Sequence, residues 1–454
     1  MNPGLVIKLR PAGPWRIGPD SGARNRVDFI YHSDSLYSAI TSAMGRLGSL
    51  EEWLDATARQ GTSAVCFSSC FPFLDEIGFV VPPRTIWPPT SPASMSARVR
   101  WKSARFVPLG IVQAILAGQK LDGNHWAVDG ASECLVPAGR LGPFRTGVRW
   151  NAAVDRLTGA VERHSTACIE FRPGSGLWTV VSFRDEAARE QWTDRVKAAF
   201  RLLADTGFGG ERSRGWGRAE APEFIEGVLP GMILPETVKE PSVEPPVQEP
   251  PVENPPMQEP PQETPPSEEE IAENRMTAEG DPQLPPPDPD PLLPPPPEPQ
   301  PPATDPAPGP PLAPDPDMSA AASDTEMSAA VSAPDMTVAA LEPAVSAVTP
   351  QPQPPSPTPV FWLLSLFTPA ADDAVDWARG DYTVLARGGR VESPAGSGEL
   401  KKQVQMIAEG SVLYSAGAPR GAAADVAPEG FAHPVFRAGF ALSIPLPNGE
   451  RTQT

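Results

Sequence analysis

The stretch from Thr206 to Arg218 sets five glycines, Gly207, Gly209, Gly210, Gly215 and Gly217, among Arg212, Ser213, Arg214 and Arg218. Glycine lets the backbone take positive φ and approach a ligand closely, because no Cβ intervenes. Successive free N–H groups in such a turn make a concavity for anions, and arginine adds charge and forked donors. The chemistry points to phosphate, with Arg212, Ser213 and Arg214 as the leading ligands and the glycines setting the loop's shape. Trp216 either stacks on a base or anchors the loop. The familiar phosphate motifs do not fit. A P-loop needs Lys followed by Ser or Thr after its last glycine, and no such pair follows Gly210 or Gly217. A dinucleotide fingerprint follows a strand and opens a helix, whereas this loop follows the helix-like run Glu186 to Ala204 and leads towards a strand-like Arg218 to Ile225. That order suits a loop laid along a polynucleotide backbone.

Two further constellations carry chemistry. His32, followed by Ser33 and Asp34, is a catalytic suspect, but a general base needs a partner and a positioned 2′-hydroxyl, and Asp34 suits a helix cap. Between residues 82 and 149 the chain is proline-punctuated and basic, with Arg84, Arg98, Arg100, Lys102 and Arg105 interleaved with Trp87, Trp101 and Phe106. Arginines that hold phosphates and rings that stack on unpaired bases make such a mixture fit for RNA, and Lys102 and Arg105 are candidates on that ground. The alternative is an insertion packed by its own aromatics.

The elements that position these groups alternate. Leu5 to Arg10 reads as a strand. Leu36, Ile40 and Met44 share one helix face, with Ser33 or Asp34 as cap and free N–H groups at the helix start open to an anion. Phe71 to Val81 reads as strand and turn, bending at Asp75 and Glu76, and Ser165 to Arg172 and Leu177 to Phe183 as strands. Strand, helix, strand, strand, helix, strand is the split βαβ order of a ferredoxin-like domain. After residue 359, strands over 360–367, 403–407 and 436–445 and a short helix Ala370 to Arg379 suggest a second, smaller α+β domain of the same kind.

Composition divides the chain into 1–230, 231–359 and 360–454. Residues 231–359 hold 39 of the 62 prolines and 23 acidic residues against Lys239 and Arg275, a local charge of −21. The net −19 of the whole therefore leaves +2 for the rest, so the acidic total does not exclude nucleic acid. A segment so poor in aromatics cannot offset its chain entropy by burial and reads as a disordered acidic proline-rich linker. Cys66, Cys70, Cys134 and Cys168 lack disulfide or zinc spacing, so neither metal nor cofactor is expected. With no signal peptide and no apolar stretch of membrane length, a cytoplasmic protein with reduced thiols is the expectation.

The glycine loop resembles the hallmark of the RAMP superfamily, the RNA-binding subunits of CRISPR effector complexes. Four more stretches resemble the fourth subunit of the type III-A, or Csm, complex: His32 to Ile40, Arg149 to Gly159, Gly388 to Val391 with Lys401 to Val412, and His433 to Phe440. The acidic linker is the departure from that family. The resemblance implies a non-catalytic subunit that holds the repeat-derived 5′ handle of the CRISPR RNA. It would sit beside the large polymerase-like subunit and a backbone RAMP subunit, and work in antiviral defence. The insertion, about 82–149, would act as a thumb that kinks the RNA. The resemblance adds Arg149, Asn151 and Arg156 as handle or thumb contacts, with Ser33 as RNA-contacting and His32 as RNA-contacting or structural. The alternative it leaves is a RAMP endoribonuclease with His32 as general base.

Overall fold

Leu5, Ile7 and Leu9 alternate with less buried neighbours, and this period of two makes β1 (Asn2–Leu9) a strand with one face on a core. The computed structural model describes residues 2–18, 23–89, 100–235, 358–393 and 396–447. In the first part α1 (Ser33–Arg46) and α2 (Leu50–Ala56) follow, then the short strands β2 (Val65–Phe67), β3 (Phe71–Leu74), β4 (Ile77–Val80) and β5 (Val107–Pro108). Next come α3 (Leu109–Leu116), β6 (Trp126–Asp129), β7 (Cys134–Pro137) and the long pair β8 (Phe144–Val154) and β9 (Val161–Phe171). β10 (Ser175–Phe183), α4 (Glu186–Thr206) and β11 (Glu223–Leu229) close the part. The sheet runs β11-β1-β10-β3-β4-β5, with β2 also on β10, and its pairings are antiparallel. β10 is buried along its whole length, as the central apolar run Leu177 to Val181 requires.

Two helices are pinned to this sheet by apolar faces. Leu36, Tyr37, Ile40 and Met44 of α1 and Trp192, Val196, Phe200 and Leu203 of α4 are buried, and the Trp53 ring meets Trp192 edge-on at 5.2 Å. Asp185 caps α4 by accepting from the Ala188 N–H at 2.8 Å.

After residue 357 the described residues form strands only. β12 (Val360–Leu363) lies in a sheet that also holds β13 (Val375–Asp381), β18 (Val412–Ser415) and β21 (Ser443–Leu446), in the order β13-β18-β12-β21. The paired strands β14 (Val384–Arg387) with β17 (Val404–Ile407), β15 (Arg390–Ser393) with β16 (Gly396–Leu400), and β19 (Ala423–Asp425) with β20 (Phe436–Ala438) surround it. The helix expected over Ala370 to Arg379 is not there. Asp373 Oδ2 accepts from Ala370 N in a tight turn, and Val375 onward pairs with β18. Alanine-rich local propensity loses to strand pairing, a common outcome for a short segment. There is no helix among the described residues of this half, so the helices of the expected split βαβ pattern are not seen there.

The described parts belong to one compact unit. Trp362, Leu364, Phe440 and Leu442 enter the same core as α1 and the first sheet, and the Tyr37 ring meets Phe440 at 5.6 Å. Backbone bonds cross over as well: Ser69 N donates to Leu364 O at 2.9 Å and Arg84 N to Gly410 O at 3.0 Å. The folded body extends to Pro235, since Ile233 is buried. The expected disorder of the linker, from 236 to 357, lies outside the described residues. So does Arg98. The basic insertion is not uniformly irregular. Trp101 and Phe106 are core, and Trp87 stacks on Trp101 with centroids 5.8 Å apart, so those rings pack the protein.

Candidate functional site

The glycine loop is a rigid shape. Gly207 ends α4 at φ 96°, its N–H still bonded to Leu203 O at 2.7 Å. Gly209, Gly215 and Gly217 also have φ between 71° and 79°, and Glu211 takes φ 60°. A left-handed glutamate is strained and persists only where its surroundings fix it. Here they do. Gly210 N donates to Arg16 O at 2.8 Å, Gly217 N to Pro14 O at 3.0 Å, and Phe208 N to Gly217 O at 2.9 Å. Phe208 is buried and stacks on Trp15 at 5.1 Å. Trp216 is buried too, which favours the anchoring role over base stacking. Arg212 to Arg214 form a single 3₁₀ turn that carries Arg212, Ser213 and Arg214 outward. Arg218 is exposed, while its carbonyl accepts from Ala12 N and the Trp15 indole, both at 3.0 Å.

Beside this loop lies an open depression of about 480 Å³, walled by Arg46, Thr206, Gly209, Gly210, Glu211, Arg212, Ser213 and Glu392. Both oxygens of Glu392, on β15, accept from Arg212 Nη2, at 2.8 and 2.9 Å. Glu211 pairs with Arg214. Each of the two leading arginines therefore already holds a carboxylate.

The other expected site residues fall in separate places. β8 and β9 form an eleven-pair hairpin whose outer part has one exposed apolar face, Val148, Trp150 (74% exposed), Val154 and Val161, with Leu157 at the tip. Arg149 and Asn151 project from the opposite face, Arg149 against Glu170 Oε1 at 2.7 Å and Asn151 Nδ2 against Thr166 Oγ1 at 3.3 Å. Arg156 is exposed in the turn. The exposed outer part of this hairpin overlaps the expected insertion only at residues 144–149. Lys102 is exposed, and Arg105 Nη2 donates to Asp28 Oδ1 at 3.1 Å.

His32 and Ser33 are buried, which takes both away from an RNA surface and, for His32, favours the structural of its two readings. His32 is the N-cap of α1, 3% exposed, with Nδ1 2.8 Å from Glu409 Oε1 and Nε2 3.1 Å from Asp28 Oδ2. Ser33 N donates to Ser69 Oγ, and Ser33 Oγ accepts from Leu366 N. The helix start is therefore covered by the chain's other half and is not open to an anion. Nor is Asp34 a cap; its carboxylate takes Arg387 through Nε and Nη2, both at 3.0 Å, and Arg437 through Nη1. Arg437 Nη2 also donates to Gly388 O at 2.5 Å. Three of the motif stretches thus meet in one buried ionic latch.

The latch sets its own protonation. Burial disfavours the His32 cation, but the Glu409 charge and the bonds to Asp28 and Glu409 outweigh it and raise its pKa to about 9. Burial would raise Asp34, yet Arg387 and Arg437 hold it well below the ordinary carboxylate range, and His32 lowers Glu409 against the same penalty. The burial of His32 and the carboxylates that favour its cation both count against the general-base alternative. A raised histidine pKa gives stability that is complete below its unfolded value of about 6.5 and is lost as pH rises through about 9. The depressed carboxylates act oppositely, losing theirs as pH falls through their folded values. The stability of the full chain, read by urea denaturation, is therefore expected to fall between pH 6.5 and 9, by at most ~1 kcal/mol per pH unit for the one proton involved. The pair His32→Gln/Glu409→Gln, which retains polar contact without charge, should flatten that slope. An unchanged slope would remove His32 as its source.

Sequence reasoning missed Arg16, Arg46, Arg387, Glu392, Glu409 and Arg437. The last two lie inside stretches that carried the family resemblance, which was the available signal. The described residues contain no cluster of three or more metal-ligating side chains and no helix long and apolar enough to cross a membrane.

Residues 356–446 match the family model for the CRISPR Csm4 C-terminal domain. That last part of the chain is similar to a Csm4 C-terminal domain. The matched stretch contains Arg387, Glu392, Glu409 and Arg437, so one wall of the depression and half of the latch lie within it. Among solved structures, the chain is similar to one of a Csm3–Csm4 subcomplex in the type III-A CRISPR-Cas interference complex. The identity is 12%, with 98% of this chain and 100% of that one covered and a TM-score of 0.49. It is also similar to one of a Csm1–Csm4 cassette in complex with cA4, at 14% identity, 99% of each chain covered and a TM-score of 0.44. No curated protein matches the chain.

Proposed function

We propose that this chain is the Csm4-type subunit of a type III-A CRISPR effector complex, and that its glycine loop grips the repeat-derived 5′ handle of the CRISPR RNA. The observation that supports this best is that the strands matching the Csm4 domain wall the same depression as Gly209, Gly210, Arg212 and Ser213. A loop held by backbone bonds, exposing arginines and a serine, offers phosphate ligands without a proton-transfer group, which favours a non-catalytic clamp. The strand order β11-β1-β10-β3, with α1 and α4 buried against the sheet, supports a ferredoxin-like reading of the first half. The hairpin, rather than the earlier part of the insertion, is the candidate thumb, with Arg149, Asn151 and Arg156 on it. A Csm1-type polymerase-like subunit and a Csm3-type backbone subunit are the proposed partners, and antiviral defence in the cytoplasm the setting.

The test is recovery of RNA with the tagged full-length protein from its host, for wild type and Arg212→Ala/Arg214→Ala. RNAs sharing one repeat-derived 5′ end should co-elute with the wild type and drop by at least about tenfold in the double variant, as expected when two charge-assisted phosphate contacts go. Wild-type protein that brings down no such RNA would sink the proposal.

A further inference from the structure

We infer that the depression beside the glycine loop is a phosphate seat which Glu392 occupies until RNA arrives, and that Arg46 belongs to it. The inference rests on the handle-clamp reading and adds a competing group and a cation to it. Glu392 brackets Arg212 Nη2 with two oxygens at 2.8 and 2.9 Å, the arrangement in which a phosphodiester's two free oxygens would meet the same nitrogen. Its side chain is 78% exposed, and the Arg212 side chain 31%. An ion pair this open to water is held weakly, so an incoming anion can replace it without rebuilding the fold.

Arg46 stands on the same wall. It lies in the last turn of α1, where a cation already suits the helix dipole, and that alone would explain an arginine there. It has no ion-pair partner among the described residues, however, and it faces the depression with Arg212. Glu211 does not neutralise it, because that carboxylate is turned to Arg214. Once Glu392 swings out, two guanidinium groups face a cavity of about 480 Å³, many times the ~30 Å³ of one water and ample for a phosphate. Because Glu392 lies on β15, within the matched stretch, filling the seat would also release that strand from the loop.

The measurement is fluorescence anisotropy of the full chain with a labelled twelve-nucleotide single-stranded RNA of mixed sequence. Glu392→Gln should tighten binding by about three- to tenfold, and Arg46→Ala should weaken it by a similar factor, the scale of one exposed charge. The Glu392→Gln gain should vanish in an Arg212→Ala background. Glu190→Gln makes the same charge change at an exposed position sixteen residues before the end of α4, about 24 Å along the helix, and should do nothing. If Glu392→Gln behaves like Glu190→Gln, if its gain persists without Arg212, or if Arg46→Ala binds like wild type, the seat as described is overturned. Those results, with Arg212→Ala still weakened, would leave the clamp standing. Arg212→Ala/Arg214→Ala binding as wild type would instead remove the clamp.

Discussion

Asp34→Ala should lower the stability of the full chain by about 3–5 kcal/mol, the usual cost of breaking a buried ion pair from one side. The carboxylate is 1% exposed, and the two guanidinium groups it serves are 6% and 8% exposed. Removing it strands two cations where water cannot reach them. The cost belongs to the stranding rather than to any net gain from the pairs. The triple variant Asp34→Ala/Arg387→Met/Arg437→Met should therefore recover more than half of the lost stability, because it removes the charges together. Urea denaturation checks both, with Arg59→Ala, in a surface cluster with Glu51 and Asp55, as a control that should barely move. A triple variant as unstable as Asp34→Ala alone would contradict this account.

Gly217→Ala should abolish the loop, while Gly215→Ala should only strain it. Both glycines have φ of 79°, so each alanine meets the same left-handed penalty of about 1–2 kcal/mol. Their surroundings differ. A Cβ on Gly215 meets nothing within 4 Å, but one on Gly217 would lie 2.0 Å from Phe208 O and 2.7 Å from Phe208 N. Backbone atoms cannot step aside, so the bond from Phe208 N to Gly217 O must break and the 3₁₀ turn lose its base. RNA binding should fall by about a hundredfold or more for Gly217→Ala and by less than about tenfold for Gly215→Ala, as a lost arrangement compared with a strained one. Equal losses would show that backbone freedom, and not the close approach to Phe208, is what the glycines provide.

The loop was legible in the sequence because its signal is local: glycines at fixed offsets between arginines, after an amphipathic helix. Four of its five glycines take positive φ, which is the backbone freedom the residue type supplies. The latch was not legible. Asp34 meets Arg387 and Arg437 across 353 and 403 residues, and His32 meets Glu409 across 377, separations over which neither periodicity nor propensity carries information. His32 was singled out, but which of its readings holds depends on what closes over it, and that lies far along the chain. Glu392 shows the same limit at the surface. Nothing near Gly389 or Val391 hints that an acid there would reach a loop 180 residues earlier. The alanine-rich turn near residue 372 failed for the converse reason: helix propensity was local and real, and strand pairing overrode it.

The segment from Ala12 to Ile17 is bonded on both sides. Ala12, Pro14 and Arg16 hold the glycine loop through backbone bonds, while Trp15 exchanges backbone bonds with Ile169 and Arg16 Nη1 donates to Ala167 O at 2.9 Å, at the root of the hairpin. Loop and hairpin are thus the two jaws of a caliper with its screw tightened. On the clamp reading, a strand gripped by both would have to fit a gauge cut by six residues of backbone, and a nucleotide added or dropped between the two contacts would be felt as misfit rather than absorbed as slack.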